Sequence, residues 1–348
     1  MKIITCAGYY RTGSSAVTDL LSEFSTCRSV GDYEFRFIHD SDGIRDLEYN
    51  IIENNNRHNT SNAIKRYIKL AKILNGGVIR KGYKRYMGTD FERLTKEYIE
   101  SITELKAKAW CHFDQQSRGA RFYFVDNAIA KLFKKIDPKS RVSLLKLSHE
   151  QAYYSAISSE KFYEYTKKYI YECLECMNKD NYPFLIVDQL LPPSNVQSHL
   201  KYFDDIKEII VERDPRDIFI LENEIYNWGN IPYKDVEEYC RWYEITRRHR
   251  KYEQYDSNKV FLLKFEDLIY QYNKTVSSLI DFIGLDKNDH VLPRRYFDPD
   301  VSVNGTNLAA KYPKYCNSVR YIESHLREYL YPFPETYGGE IKEPNWNV

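Results

Sequence analysis

The stretch CAGYYRTGSSAV, residues 6–17, constrains this chain more than any other. The apolar run before it, Lys2 to Cys6, reads as a short buried strand. Ser14 to Phe24 after it places Val17, Leu20, Leu21 and Phe24 at helical spacing. Strand, glycine-bearing turn and helix is the order that an anion-binding loop requires. Gly8 and Gly13 let the backbone bend so that successive N–H groups point inward, and the helix start adds the positive end of its dipole. The hydroxyls of Thr12, Ser14 and Ser15 can donate as well, and Arg11 supplies a fixed cation. A loop built for a nucleoside triphosphate carries a lysine after its second glycine, to reach the β- and γ-phosphates. Here Ser14 stands at that place. The loop therefore suits an anion site that needs neither a triphosphate nor a metal. A glycine-serine turn can also be a plain helix cap, so the loop alone does not decide the matter.

Further apolar, β-rich runs fall at Val142 to Leu147, Phe184 to Val187, Ile209 to Val211 and Val260 to Phe265, each followed by a helical or polar stretch. Such alternation predicts an α/β fold: a central parallel sheet flanked by helices, with ligands at the carboxyl ends of the strands. From about Asp46 to Lys135 the pattern becomes helical, tyrosine-rich and locally basic. Between Ala63 and Thr89 stand Lys65, Arg66, Lys69, Lys72, Arg80, Lys81, Lys84 and Arg85, with no acid among them. This region reads as a helical cap or insertion at about 46–135, its basic face either merely solvated or a cradle for an acidic acceptor. No repeat or low-complexity linker divides the chain, so residues 1–348 are expected to form a single α/β domain carrying that insertion.

Charge excludes one class of partner. With 51 Lys+Arg against 50 Asp+Glu, no global field favours nucleic acid, and an anion site must be local. Seven scattered cysteines, an odd number, favour reduced thiols in a cytoplasmic protein over a disulfide framework. Cys173 and Cys176, in YIYECLECMNKD, lack a second pair at metal spacing and read as buried thiols. MKIITCA is too short for a signal peptide, and no apolar stretch of about 18 residues suggests a transmembrane segment.

A second element sharpens the reading. IIVERDPRDIFI sets Arg213, Asp214, Pro215 and Arg216 at the end of an apolar strand, with the proline placed to start a helix. A second phosphate pocket in the same sheet as the loop would suit one cofactor bearing two separated phosphates. The Arg-Thr-Gly-Ser-Ser loop and the strand-borne Arg-Asp-Pro-Arg resemble the 5′-phosphosulfate and 3′-phosphate signatures of sulfotransferases that use 3′-phosphoadenosine 5′-phosphosulfate (PAPS), particularly those acting on carbohydrates. LLKFEDLIYQYNKTVSSLIDFIGL, residues 262–285, is similar to the strand, Glu-Asp-Leu turn and helix of the same family.

The resemblance implies PAPS as the cofactor, with the bisphosphate PAP as product, and no metal. It implies that Arg11 contacts the phosphosulfate, that Thr12, Gly13, Ser14 and Ser15 cradle the 5′-phosphate, and that Arg213 binds the 3′-phosphate. The family usually has a serine eight residues after that arginine; Leu221 stands there, leaving Asn223 or a more distant residue to take its part. Arg216 is read either as a cofactor contact or as the partner of a neighbour such as Asp217. DPDVSVNGTNLAAKYPKY sits where the family closes a loop over the nucleotide; Ser302, Asn304 and Lys311 match it loosely, and an ordinary polar surface loop is the simpler reading.

Sulfuryl transfer to a hydroxyl needs a base. The resemblance favours Glu34, in GDYEFRFIHD, whose alternative is a surface carboxylate paired with Arg36. Asp188, at the end of the FLIV run, is the runner-up, ahead of His149 and His39. A glycan or glycolipid hydroxyl is the expected acceptor. Two rival readings use the same spacing: a nucleotide-dependent kinase with a degenerate loop, and a non-catalytic nucleotide-binding protein of the same fold.

Overall fold

The computed structural model describes residues 1–76, 82–139, 147 and 149–343. Its strands are β1 (Lys2–Gly8), β2 (Cys27–Glu34), β3 (Leu105–Lys108), β4 (Gln151–Tyr154), β5 (Phe184–Asp188), β6 (Ile206–Glu212) and β7 (Val260–Lys264). The chain divides into two compact units: residues 1–38 with 177–348, and residues 39–176.

The first unit is built on a sheet of order β2-β5-β1-β6-β7. Every neighbouring pair in it is parallel. Parallel strands covered on both faces read as continuous apolar runs, and β5, FLIVD, is buried from end to end. Ile4, Cys6, Ile186, Ile209, Val211 and Leu263 belong to one core with Val17, Leu20 and Leu21 of helix α1 (Ser14–Leu21) and with Val276, Leu279, Ile280 and Ile283 of the helix Tyr272–Ile283. Each fully buried side chain of this size contributes about 1.5–3 kcal/mol, so the glycine loop joins two firmly held elements.

Edge strand β2 carries no apolar run. Its sequence, CRSVGDYE, is recruited by β5, with Cys27 opposite Phe184, Arg28 opposite Leu185 and Ser29 opposite Ile186. An irregularity follows, and Glu34 then pairs with Asp188. The strand expected at 142–147 lies outside the described residues, except for Leu147, which is buried.

The second unit contains the helices Asn59–Asn75, Asp90–Ser101, Gly119–Ile136 and Ser159–Glu175, together with the antiparallel pair β3–β4. The expected insertion at 46–135 falls within it, but the unit extends from residue 39 to residue 176. Some of its tyrosines are core. Tyr98 and Tyr169 stack with centroids 4.5 Å apart, Tyr67 donates from its hydroxyl to Tyr169 at 3.0 Å, and Tyr98 meets the Thr166 hydroxyl at 2.8 Å. Part of the basic stretch is neutralised: Lys65 pairs with Asp114 at 2.6 Å and Arg66 with Asp42 at 2.6 Å. Arg80 and Lys81 lie outside the described residues. Cys173 is buried in the last of these helices, and Cys176, just past its end, is half-buried. Among the described residues no helix is long and apolar enough to cross a membrane.

Candidate functional site

The carboxyl ends of β1, β2, β5, β6 and β7 bring Gly8, Glu34, Asp188, Arg213 and Phe265 to one edge of the sheet in the first unit. Between β1 and α1 the chain makes a tight turn in which Tyr10 (φ 63°), Arg11 (φ 59°) and Gly13 (φ 93°) are left-handed. Consecutive non-glycine residues in that region cost energy and persist only where surrounding contacts enforce them. The glycines are required sterically. A Cβ on Gly8 would sit 2.2 Å from the Thr12 hydroxyl oxygen, and one on Gly13 would sit 2.5 Å from the Phe265 ring. Thr12 is buried, and its hydroxyl accepts the Tyr9 N–H at 3.2 Å, so it shapes the loop from within. Tyr9 is anchored through its hydroxyl to the Pro193 carbonyl at 2.9 Å, whereas Tyr10 is exposed. Ser14 accepts from the Gln189 side chain at 3.4 Å, Ser15 is exposed, and among the described residues no side chain caps the start of α1. That helix start therefore keeps its positive end available to an anion.

Arg11 is clasped. Its Nε donates to Glu222 at 3.1 Å, and its guanidinium lies 3.8 Å from the Tyr226 ring centre and 4.4 Å from that of Trp228. Its Nη2 is buried without a hydrogen-bond partner among the described residues. Arg213 reaches the same loop: its Nη1 donates to the Arg11 carbonyl at 3.4 Å and its Nη2 to the Gly305 carbonyl at 2.5 Å. Its guanidinium lies over the Phe265 ring at 4.3 Å, the ring that also packs on Gly13. Nε of Arg213 is likewise buried and unpartnered among the described residues. Guanidinium groups have only donors to offer, so two unused buried donors at one edge call for an acceptor-rich ligand.

The turn after β6 is braced from several sides. Asp214 accepts the Arg216 backbone N–H at 2.8 Å, its own N–H goes to Glu266 at 2.7 Å, and its other carboxylate oxygen pairs with Arg216 at 2.8 Å. Arg216 also pairs with Glu323 at 2.9 Å and donates to the Tyr331 carbonyl. Arg216 is thus ion-paired with a neighbour, one of the two readings the sequence left open; the neighbour is Asp214, joined by Glu323, and not the adjacent Asp217. Asp217 accepts the N–H groups of Asn307 and Leu308 at 3.0 and 2.8 Å instead. Burial, with the charge of Asp214, pushes its carboxyl up to about 7. Burial likewise pushes Glu266 up to about 8.

Through Asp217 and the Gly305 carbonyl, the segment 303–308 is docked beside Arg213, with Val303, Thr306 and Leu308 buried. It is a packed flank of the site, where the sequence suggested an ordinary surface loop. Lys311 donates to the Asn304 carbonyl at 2.9 Å, and Asn304 donates to the carbonyls of Val301 and Lys342, so both side chains are engaged by backbone carbonyls. Leu221 belongs to a separate apolar cluster. Asn223 donates to the Phe219 and Tyr233 carbonyls, so its amide N–H groups are engaged.

Of the candidate bases, Asp188 is buried, and Glu34 stands opposite it in register. The Glu34 side chain is 42% exposed and pairs with Arg36 at 2.9 Å. His39 and His149 belong to the second unit. Sequence reasoning missed Glu222 and the double role of Phe265. An acid directly after the apolar run IFIL was the available signal for the first; nothing local marks the second.

A left-handed glycine turn at the carboxyl end of a parallel sheet, reached by Arg213 from the turn after β6, makes this an α/β protein with an edge suited to an anion. A family model described as the sulfotransferase family matches residues 4–289, and the chain belongs to that family. Membership makes it a PAPS-dependent transferase, an enzyme that moves a sulfuryl group. Among solved structures it is similar to the sulfotransferase STF1 of Mycobacterium tuberculosis H37Rv (11% identity over 83% of this chain and 69% of that one, TM-score 0.34). It is also similar to the sulfotransferase STF9 of Mycobacterium avium (12% identity, 93% and 76%, TM-score 0.36). A third likeness is to retinol dehydratase in complex with androsterone and inactive cofactor PAP (14% identity, 96% and 83%, TM-score 0.33). No curated protein matches the chain.

Proposed function

We propose that this chain transfers the sulfuryl group of PAPS to a hydroxyl of a glycan or glycolipid, in the cytoplasm and without a metal or a nucleic-acid partner. The observation that carries the reading is the hydrogen bond from Arg213 to the Arg11 carbonyl, which draws two sequence signatures into one site. The residues present fit the nucleotide: unused donors of Arg11 and Arg213 are buried there, and the glycine loop has no room for a Cβ at Gly8 or Gly13.

Gly13, Ser14 and Ser15, with the helix start, would hold the 5′-phosphate side. Thr12 would support them by keeping the loop closed, and Arg213 would hold the 3′-phosphate. PAPS, when bound, supplies an activated sulfuryl group. Arg11 and the loop N–H groups meet the negative charge that grows on the leaving phosphate, the kind of preorganised stabilisation that acts most strongly in the transition state. Glu34 takes the proton of the acceptor hydroxyl. Its exposure supports that role, because the acceptor must reach it, and its pair with Arg36 is one that a substrate can displace at small cost. Asp188 is the alternative base. Seven free cysteines suit a reducing compartment.

Calorimetry with PAP, ATP and adenosine 5′-phosphosulfate, followed by assays on a panel of hydroxyl acceptors, tests the proposal. PAP should bind most tightly. A preference for ATP would overturn the reading in favour of the kinase, and tight PAP binding without turnover on any acceptor would favour a non-catalytic nucleotide-binding protein. Leu221 and the engaged Asn223 are the observations on the side of that last reading.

A further inference from the structure

The Glu222 side chain is fully buried and ion-paired to Arg11, yet the proposed chemistry gives it no part. Its two oxygens do different things. Oε2 accepts from Nε of Arg11 at 3.1 Å, and Oε1 accepts the backbone N–H groups of Trp228 and Gly229 at 2.9 and 3.1 Å. The second set folds the segment 226–229 back on itself, with Asn227 and Gly229 both left-handed at φ 51° and 73°. This fold sets the rings of Tyr226 and Trp228 against the Arg11 guanidinium. A planar guanidinium held through Nε and by ring faces has one orientation, and its free Nη edge is fixed in direction. A carboxylate in contact also offsets much of the cation's charge, where the dielectric is low and the offset is felt strongly.

We propose that Glu222 is a positioning residue for the transfer: it aims Arg11 and tempers its charge, so that the cation orients the donor without holding the bisphosphate product too tightly. The inference rests on the reading above that this loop binds PAPS. A carboxylate that served only to cap the 226–229 turn would give a different signature when changed. Glu222→Gln removes the offsetting charge and sets an amide N–H₂ against the Arg11 Nε–H, which releases the guanidinium. PAP should then bind about tenfold more tightly, from one unit of charge uncovered a few ångströms away, while kcat falls by about tenfold or more as aim is lost.

Glu222→Asp keeps the charge but shortens the reach: PAP affinity should stay within about twofold, and kcat should fall. Isothermal titration with PAP and steady-state rates on the full chain read both quantities. Unchanged or weaker PAP binding in Glu222→Gln overturns the proposal, as does tightening in Glu222→Asp. If Glu222→Gln does not fold, Glu222→Asp decides alone, and wild-type affinity together with wild-type kcat overturns the proposal. A wild-type chain that does not bind PAP overturns the donor-site reading and this inference with it; wild-type binding with an unaltered Glu222→Gln variant overturns the inference only.

Discussion

Arg11 and Glu34 carry the two charges that the proposed transfer needs, and they are held in opposite ways. Arg11 keeps 14% of its side chain exposed, is ion-paired to a fully buried carboxylate, and lies against two aromatic rings on a left-handed backbone. Glu34 is 42% exposed at the end of an irregular edge strand, with Arg36 as its ion-pair partner. The group that meets developing charge must be in place before the reaction, because reorganising it during the step would cost the stabilisation it provides. The group that takes a proton from a variable acceptor needs access more than rigidity. A deeply held cation and a loosely held carboxylate at one sheet edge are what this division of labour requires.

The sharpest way to break the comparison is to remove charge from the open side. Glu34→Gln should lower kcat by about 10²–10⁴-fold, the usual worth of a positioned general base, and leave PAP affinity unchanged. If that variant keeps wild-type turnover while Asp188→Asn loses it, the base lies on the buried strand end and the contrast between open and held groups fails. On the held side, Arg11→Ala should cost about 10²–10³-fold in kcat, the range for loss of one preorganised donor to a developing anion. A loss in PAP affinity alone, with kcat preserved, would mean that Arg11 binds the ground state only.

Arg213 refines the contrast within the held half. Arg213→Ala should weaken PAP by about 10–100-fold, as expected for a charged hydrogen bond worth about 1.5–3 kcal/mol. Adenosine 5′-phosphosulfate, which has no 3′-phosphate, should bind the variant and the wild type alike. Equal losses for both ligands would show that Arg213 acts by supporting the Arg11 carbonyl and not by contact with a 3′-phosphate.

Which parts of this site were legible beforehand follows from the range of the forces involved. The glycine loop, the Arg-Asp-Pro-Arg turn and the apolar strands are local patterns, and β1, β5, β6 and β7 appear where their apolar runs lie. Strand β2 was not legible because its order comes from pairing with β5 and not from its own residues. Glu222 escaped notice because its partner Arg11 is 211 positions away. Phe265 lies within the stretch 262–285, but its place between Gly13 and Arg213 depends on three strand ends meeting. Arg216 does pair with a neighbour, but with Asp214 and not with the adjacent Asp217, whose carboxylate is turned toward residues 307 and 308.

The smallest expected effect lies in the support beneath the held half. Glu266 accepts the Asp214 N–H through one oxygen, and its other oxygen is buried without a hydrogen-bond partner among the described residues. Burial raises its carboxyl from 4.5 to about 8. Through that window the folded chain keeps a proton that the unfolded chain has released, so the folded state binds more protons and stability declines as the pH rises. The contribution is complete below the unfolded value and lost above the folded one. Glu266→Gln preserves the acceptor for Asp214 and has no proton to lose. Thermal midpoints of wild type and variant should therefore converge near about pH 5 and differ by a few degrees near about pH 9, where the variant is the more stable. Parallel midpoint curves across that range would mean that Glu266 is ionised in the folded chain at neutral pH, and that Arg213 is offset by a nearby carboxylate, as Arg11 is by Glu222.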